Sequence, residues 1–530
     1  MTDLAAPPAV VGAQAARRRS IAVISHPDAG KSTLTEALAL HARAIGEAGA
    51  VHGKQGRSGV VSDWLEMEQK RGISITSAAL QFEFEDVVIN LLDTPGHADF
   101  SEDTYRVLTA VDCAVMLLDA ARGLEPQTLK LFEVCRRRGV PVITFINKWD
   151  RPGREALELC DELEQRIDLH PTPITWPVGE AGTFHGLLDT RQHGVTLYGR
   201  SPGGATLAEE EHLSLDAARD RFPADVDDAL EASSLLGALD TDSFRAGRTS
   251  PLLFGAALTN IGVRQLLDAI AEIAPAPSAR PGVDGAPRPV DAPFSGFVFK
   301  MQAGMDPNHR DHLAFLRVCS GEFQRGMVAT HATTGRPFAT KYALSVFGRS
   351  RDVVDTAYPG DIVGLVNATA LAVGDTLHAA DGPTVRYPPM PTFAPEHFIT
   401  AHVADPARSK QFRKGIAQLE QEGVVQVLVS EARGDASPIL AAVGPLQFEV
   451  AEFRMAHEFN APMRTDHLTL TLAMNAGADD AARLAGRTGV ELARRADGTL
   501  LALLTDRWRL SSLQRAIPEL TLTPLLAGSE

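Results

Sequence analysis

The chain has 530 residues, a length that predicts two to four domains and excludes a small scaffold held together by disulfides. Hydrophobic residues make up 44% and charged residues 22%, which is typical of a globular protein with large buried cores. The formal net charge of −16 argues against a protein that binds polyanions through a uniformly basic surface.

Neither the cysteines nor the N-terminus indicate a metal-binding or exported protein. The four cysteines lie far apart, without the spacing of a zinc site or of a disulfide framework. An apolar stretch over residues 5–16 precedes the arginines at 17–19, whereas a signal peptide places its charges first. Since no apolar run approaches the ~20 residues that cross a bilayer, we expect a soluble protein of the reducing cytoplasm.

In the first 285 residues, short aliphatic runs alternate with segments of helical periodicity. The runs that predict buried strands are Ile21–Ile24, Val87–Leu92, Cys113–Leu118 and Val140–Ile146. The predicted helices are Ser32–Ala44, Asp99–Ala110 and Glu125–Arg138. This alternation predicts a multidomain α/β protein whose first domain is doubly wound, with a mostly parallel sheet that binds ligands at the carboxyl ends of its strands.

Two proline-rich stretches, Pro275–Pro293 and Pro383–Pro395, are interpreted as linkers. They predict three domains, over residues 1–280, 281–390 and 391–530. Between the linkers, a small β-barrel is predicted from the runs Phe294–Lys300, Leu313–Cys319, Thr340–Val346 and Asp361–Asn367. Beyond them, an α+β sandwich is predicted from strands at Phe398–Val403, Val424–Ser430 and Ile439–Val443 and from helices at Ala407–Glu422 and after Gln447. Residues 476–499 receive no assignment.

A phosphate-binding loop is predicted directly after the first strand. Its residues are Ser25, His26, Pro27, Asp28, Ala29, Gly30, Lys31 and Ser32. Successive backbone amides and the positive end of the following helix favour phosphate, and Lys31 adds a point charge. The hydroxyl of Ser32 suits Mg²⁺. The match is imperfect, because Ser25 replaces the usual first glycine.

A second phosphate motif follows the next long strand. Its residues are Asp93, Thr94, Pro95, Gly96 and His97. A carboxylate at Asp93 can hold Mg²⁺ through water, and the amide of Gly96 can meet a γ-phosphate. Alone, Asp93 could equally be a helix cap followed by an ordinary turn, but its spacing from the first loop favours one shared site.

A third motif predicts which base is bound. Asn147, Lys148 and Asp150 end a later strand, and a carboxylate at Asp150 can accept two hydrogen bonds from N1 and the exocyclic amine of guanine. Adenine offers no such pair, so guanine is selected. Ala256 and Ala257 end another strand, where a backbone amide can contact the guanine oxygen, although such residues are most often an ordinary strand end.

Between the first two motifs lies the loop-like segment RGISIT at residues 71–76. An exposed β-hairpin is the simpler interpretation. Within a nucleotide switch, one of its hydroxyls would complete the Mg²⁺ shell while the γ-phosphate is present.

Together these residues resemble the translational GTPases, the family of elongation factors G and Tu. The resemblance is narrower to the bacterial release factor 3 family, since SHPDAGKST and RGISIT carry serine where elongation factors have glycine and threonine. Further similarity lies in FINKWDRPGREALELCDELE, in MDPNHRDHLAFLRVCSGEFQRGM and in VGPLQFEV, so it covers most of the chain. Elongation factor G would need two further C-terminal domains, which this chain is too short to hold.

The resemblance implies a P-loop GTPase domain, a β-barrel domain II and a domain III. It also implies a ribosome-stimulated GTPase of translation termination that uses GTP and Mg²⁺ and promotes dissociation of class I release factors after peptide release, as a cytoplasmic monomer. By the same resemblance, Ser74 is the switch residue that binds Mg²⁺, with Thr76 as the alternative, and His97 orients the attacking water. Two other functions stay open: an elongation-type or ribosome-protection factor, and a nucleotide-sensing regulatory protein whose partner is not the ribosome.

Overall fold

The computed structural model describes residues 6–44, 78–95, 97–199, 207–303, 312–345, 353–390, 394–434 and 437–525. The predicted site residues Ser74 and Gly96, and the alternative Thr76, lie outside the described residues. No helix within the described ranges is long and apolar enough to span a membrane.

The first part of the chain contains eleven strands and nine helices within the described ranges. The strands are β1 (Arg18–Ser25), β2 (Ala78–Phe84), β3 (Val87–Asp93), β4 (Cys113–Asp119), β5 (Val142–Asn147), β6 (His170–Pro173), β7 (Thr175–Val178), β8 (Gly186–Asp189), β9 (Gly194–Tyr198), β10 (Glu210–Ser214) and β11 (Thr249–Phe254). The helices are α1 (Pro8–Ala16), α2 (Lys31–His41), α3 (Ser101–Thr109), α4 (Pro126–Arg138), α5 (Ala156–Ile167), α6 (Leu215–Arg221), α7 (Pro223–Ser234), α8 (Thr241–Arg245) and α9 (Val263–Ile273).

Seven of these strands form the predicted doubly wound sheet, in the order β2-β3-β1-β4-β5-β11-β6. Every neighbouring pair is parallel except β2 and β3. Ile21 and Val23 of β1 lie in one buried core with α2 and α9, while Ala22 and Ile24 lie in the other with α3, α4 and α5. The sheet is therefore covered on both faces, which explains why its strands are continuous apolar runs.

The register brings the carboxyl ends of the central strands to one edge of the sheet. Val23 of β1 is paired with Asp93 at the end of β3, and Asp119 at the end of β4 is paired with Asn147 at the end of β5. The loops that follow these strands consequently meet at one place, as the doubly wound fold predicts.

The first part of the chain also contains a four-stranded antiparallel sheet in the order β10-β9-β8-β7, which packs with α7. The sequence did not predict it. Its strands have four or five residues, and the edge strand β10 exposes most of its side chains. Such short, half-solvated strands carry too few apolar positions to form a recognisable pattern.

The middle part is the predicted β-barrel. Its strands are β12 (Arg280–Pro281), β13 (Pro287–Arg288), β14 (Ser295–Ala303), β15 (His312–Ser320), β16 (Phe323–Gln324), β17 (Val328–His331), β18 (Pro337–Ala339), β19 (Ala343–Ser345), β20 (Thr356–Ala357), β21 (Ile362–Val366) and β22 (Thr376–Ala379). The main sheet has the order β18-β17-β22-β14-β15-β21-β19. The first predicted linker is more ordered than expected, since β12 and β13 pair within it as a short hairpin.

The C-terminal part is an eight-stranded sheet with helices. Its strands are β23 (His397–Val403), β24 (Gln426–Val429), β25 (Ile439–Ala442), β26 (Met463–His467), β27 (Leu472–Asn475), β28 (Val490–Arg495), β29 (Leu500–Leu504) and β30 (Thr523–Pro524), in the order β26-β23-β25-β24-β28-β29-β27-β30. Its helices are α10 (Ser409–Glu422), α11 (Leu446–His457), α12 (Ala478–Leu484) and α13 (Arg507–Ala516). The unassigned residues 476–499 thus form α12 and β28. The domain boundaries near residues 280 and 390 stay a prediction.

A buried polar cluster joins the barrel to the first domain. Asp361, which precedes β21, accepts a hydrogen bond from Nε of Arg18 at 2.7 Å. Its other carboxylate oxygen accepts from Gln81 at 2.9 Å and from Asn90 at 3.3 Å. One barrel carboxylate therefore neutralises an arginine of β1 and satisfies two amides of the neighbouring strands.

We expect Asp361→Ala to lower the free energy of unfolding by roughly 3–5 kcal/mol, because the buried Arg18 would be left without its counter-ion. Urea unfolding followed by tryptophan fluorescence measures this loss. Asp355→Ala is the control, since it breaks a pair with Arg325 whose side chains are 44% and 75% exposed, and such pairs contribute about 0–1 kcal/mol. Equal losses in the two variants would contradict the prediction.

Candidate nucleotide site

The predicted phosphate loop joins β1 to α2 at the carboxyl edge of the main sheet. It leaves the strand at Ser25, whose hydroxyl donates to the carbonyl of His26 at 2.9 Å. Gly30 directly precedes α2 with φ +97°, a conformation that favours glycine. A Cβ there would also lie 2.6 Å from Nδ2 of Asn147. Gly30 is therefore required both by the backbone and by the close approach of the base motif.

The side chain of His26, the second residue of this loop, is almost completely buried. Its Nδ1 lies 3.4 Å from the hydroxyl of Thr128 on α4. Burial lowers the pKa of the imidazole below its ordinary value and outweighs the opposing effect of the nearby carboxylates of Glu125 and Asp119. The ring is therefore neutral at pH 7 and packs as part of the loop's support.

The second predicted phosphate motif begins where β3 ends beside the loop. Asp93 is 2% exposed. Thr94 donates its hydroxyl to the carbonyl of Val23 at 2.7 Å, which ties this motif to the strand that leads into the phosphate loop. The carbonyl of Pro95 accepts from Thr104 on α3 at 3.3 Å. By contrast, the side chain of His97 is 41% exposed, so it lies at the surface of this edge.

Asn147 connects three of the predicted segments. Its Nδ2 donates to the carbonyl of Ala29 in the phosphate loop at 2.7 Å. Its Oδ1 accepts from the amide of Ala257, at the turn after β11, at 2.8 Å. The side chain is buried, so these bonds replace the water that its amide would otherwise bind.

Lys148 makes the next connection. Its ammonium group donates to the carbonyl of Asp28 at 2.5 Å and lies 2.8 Å from the carboxylate of Asp119. Burial raises the pKa of the Asp119 carboxyl, but hydrogen bonds from Lys148 and from the amide of Ala121 outweigh it, so the pKa lies below its ordinary value. The sequence interpretation missed Asp119, although a carboxylate that ends a buried strand at this edge was a usable signal.

Trp149 fixes the backbone that carries Asp150. Its amide donates to the carbonyl of Gly255 at 3.0 Å, and its ring packs edge-on against Phe254 at 4.9 Å. Asp150 itself is half-buried. The carboxylate at position 150 thus follows a residue that is bonded to Gly255, directly before the buried Ala256.

The structure therefore brings together most of the predicted site residues at one edge of the sheet. The phosphate loop (25–32), the residues 93–95, the base motif (147–150) and the turn at Ala256 and Ala257 are linked by the hydrogen bonds given above. The switch segment and Gly96 lie outside the described residues.

Replacing Asn147 with alanine should destabilise the protein by roughly 2–4 kcal/mol, since a buried carbonyl and a buried amide would both lose their partners. The midpoint of urea unfolding, followed by tryptophan fluorescence, measures this effect, because Trp149 and Trp176 are buried in this domain. Asn475→Ala serves as the control. It removes a solvent-exposed hydrogen bond to the carbonyl of Pro524 at 3.3 Å. An equally small effect in both variants would contradict the prediction.

Comparison with known proteins gives matches over most of the chain. Family models match three segments in order: the elongation factor Tu GTP binding domain at residues 16–276, elongation factor G domain 2 at 293–380, and the class II release factor RF3 C-terminal domain at 387–514. Proteins named peptide chain release factor 3 are 44% identical in Trichodesmium erythraeum, over 97% of both chains, and 46% identical in Gloeobacter violaceus, over 87% of this chain and 88% of the relative.

A crystal structure of a protein from Thermus thermophilus is similar with a TM-score of 0.69 and 20% sequence identity. The match covers 91% of this chain and 72% of that protein. At this identity the likeness supports the fold alone.

The fold, the edge of the sheet that carries these motifs and the matched domains define a translational GTPase, an enzyme that binds guanine nucleotide, hydrolyses GTP and acts on the ribosome. The chain belongs to the peptide chain release factor 3 family. The prediction of a GTPase domain followed by a β-barrel and a C-terminal α+β domain is confirmed.

Proposed function

We propose that this chain promotes the dissociation and recycling of class I release factors from the ribosome after peptide release, driven by GTP hydrolysis. The observation that carries the proposal is the match of residues 387–514 to the C-terminal domain of class II release factors, in a chain whose residues 16–276 match a GTP binding domain. An elongation-type factor would carry different C-terminal domains.

In this proposal the loop from Ser25 to Ser32 holds the phosphates. The backbone turns at Gly30 into the first turn of α2, so its amides and the helix dipole face the phosphate groups. Lys31 contributes its charge to the β- and γ-phosphates. Asn147 and Lys148 both donate to carbonyls of this loop, and these bonds hold it against the base motif.

Two residues at this edge of the sheet suit Mg²⁺. Ser32 offers a hydroxyl in the first turn of α2, and Asp93 offers a carboxylate at the end of the adjacent strand β3. Oxygen donors of this kind fit a hard cation. We propose Ser74 as a further ligand from the switch segment. The ion, when bound, would neutralise charge that develops on the phosphates.

Guanine selection is assigned to Asp150, with Asn147 and Lys148 supporting it and the turn at Ala256 and Ala257 beside them. The amides of these two alanines do not serve the guanine oxygen as the sequence predicted, because they donate to the carbonyl of Ile261 at 2.9 Å and to Oδ1 of Asn147 at 2.8 Å. The half-buried carboxylate accepts from N1 and from the exocyclic amine. His97 is assigned the orientation of the attacking water, which its place at the end of the second phosphate motif supports.

We further propose that the chain acts as a cytoplasmic monomer with the ribosome and class I release factors as its partners. Weak GTPase activity alone should rise roughly 10³- to 10⁵-fold with ribosomes, the scale of GTPase activation. An equal rate of GTP hydrolysis with and without ribosomes would refute the proposal. Co-sedimentation with ribosomes and a non-hydrolysable GTP analogue separates it from a regulatory protein with another partner.

The direct experiment uses a reconstituted termination complex after peptide release, with a fluorescent class I release factor bound. The chain with GTP should accelerate departure of the label, while the chain with GDP alone serves as the control. An unchanged departure rate with GTP would refute the recycling function, even if the ribosome stimulates hydrolysis.

A further inference from the structure

Asp99 contacts two parts of the molecule that are remote in sequence. One oxygen of its carboxylate lies 3.2 Å from Nδ1 of His97. The other accepts a hydrogen bond from the amide of Leu446 at 2.8 Å, across a separation of 347 residues. Leu446 is the first residue of α11 in the C-terminal domain. A single side chain therefore joins the histidine beside the phosphate motif to a helix of another domain.

The contact with α11 is closely packed. Asp99 is 13% exposed at its side chain, and a Cβ on Gly444 would overlap its carboxylate. Phe100, Leu446 and Val450 form a buried apolar cluster next to it. The residue before α11, Pro445, offers no side-chain cap. Asp99 supplies a negative charge at that end of the helix, where the helix dipole favours it.

The contact with His97 determines which nitrogen of the imidazole ring carries the proton. A carboxylate opposite Nδ1 favours the tautomer that carries its proton on Nδ1, which leaves Nε2 as an acceptor. The amide of Asp99 donates towards Nδ1 at 3.3 Å and so favours the other tautomer, but its hydrogen carries only a partial charge, whereas the carboxylate at 3.2 Å carries a full one and decides the position of the proton. An acceptor at Nε2 is the form that can orient a water molecule through one of the water's hydrogens.

We propose that Asp99 is a positioning residue for His97, which makes the orientation of the histidine depend on the position of α11. The inference rests on the proposed role of His97. If the C-terminal domain moves relative to the GTPase domain, the bond to Leu446 is lost or displaced and the carboxylate moves with it. Placement of the C-terminal domain and hydrolysis are then coupled through a two-bond path.

The test is a double-mutant cycle on the full chain with ribosomes, measuring kcat for GTP hydrolysis and the Kd for a fluorescent GTP analogue. Asp99→Ala should lower kcat by about 10- to 10²-fold, as expected when a reacting group is misplaced. The Kd should not change. In a His97→Ala background the same substitution should cost nothing further, because Asp99 acts through the histidine.

Two further variants separate positioning from folding. Asp99→Asn keeps an oxygen for the amide of Leu446 but presents no carboxylate to His97, so it should fold normally and still lower kcat. Gly444→Ala should lower kcat by displacing Asp99, again only while His97 is present. The control is Asp506→Ala, which removes the cap of α13, a bond from the amide of Arg509 at 2.6 Å, and should leave kcat unchanged.

The outcomes are distinct. Losses that add fully to the loss caused by His97→Ala would show that Asp99 has an independent structural role and would overturn the inference. An unchanged kcat in Asp99→Ala and Asp99→Asn, with His97→Ala strongly impaired, would overturn it while leaving the proposed function intact. An unaffected His97→Ala protein would overturn both the inference and the role assigned to His97, while the recycling function would still be tested separately by the departure of the labelled release factor.

Discussion

His97→Ala should bind GTP as tightly as the unchanged protein and lose roughly 10²-fold or more of its ribosome-stimulated turnover, the cost of removing one transition-state group. The side chain is 41% exposed, so its loss leaves no cavity in the core and the phosphate loop keeps its contacts. Single-turnover hydrolysis with saturating ribosomes measures the effect, and equilibrium binding of a fluorescent GTP analogue confirms that the nucleotide is still held.

His193→Ala is the matched control, because His193 is an exposed turn residue of the same domain. It should hydrolyse GTP at the unchanged rate. If both variants turn over normally with ribosomes, His97 is a solvated turn residue like His193. A parallel loss of GTP affinity and turnover in His97→Ala would instead mean that the residue supports the phosphate motif.

The main sheet could be predicted from the sequence because its strands are buried on both faces. The runs at 21–24 and 113–118 lie within β1 and β4, where almost every side chain is inaccessible. The residues at 476–499 could not be assigned, since α12 has only seven residues and β28 is mostly half-buried. Residues with so weak a pattern form the strand β28 because they pair with the neighbouring strands β24 and β29.

The nucleotide site also has a part that could be predicted from the sequence and a part that could not. The phosphate loop is a local motif, so its residues could be named from their order alone. The contacts that hold it are not local: Asn147 reaches Ala29 across 118 residues and Ala257 across 110. These bonds and the bond from Leu446 to Asp99 cannot be predicted from the local sequence pattern, because each depends on which strands and domains become neighbours.

Asp150→Asn tests the choice of base, and its effect should be the largest on nucleotide affinity. Guanine presents two donors, at N1 and at the exocyclic amine, to a carboxylate that only accepts. An asparagine keeps one acceptor but directs an NH₂ group at the second donor. Losing one charge-assisted hydrogen bond and opposing two donors should weaken GTP binding by roughly 10²- to 10³-fold, at about 1.5–3 kcal/mol per bond to a charged group.

Xanthine nucleotides should show the reverse preference. Xanthine carries a carbonyl oxygen where guanine carries the amine, so it offers a donor at N1 and an acceptor beside it. The asparagine amide matches that pair with its oxygen and its nitrogen. Asp150→Asn should therefore bind XTP more tightly than GTP and hydrolyse XTP on ribosomes, because the phosphate loop and His97 are untouched.

The control for both measurements is Asp161→Asn, which neutralises an exposed carboxylate on α5 of the same domain. It should leave the Kd for GTP and the discrimination against XTP unchanged, so a general effect of lost negative charge is removed from the comparison. Asp150→Asn protein that binds both nucleotides poorly would indicate a disturbed turn at Trp149. Protein that still prefers GTP would show that a group other than the Asp150 carboxylate selects the base.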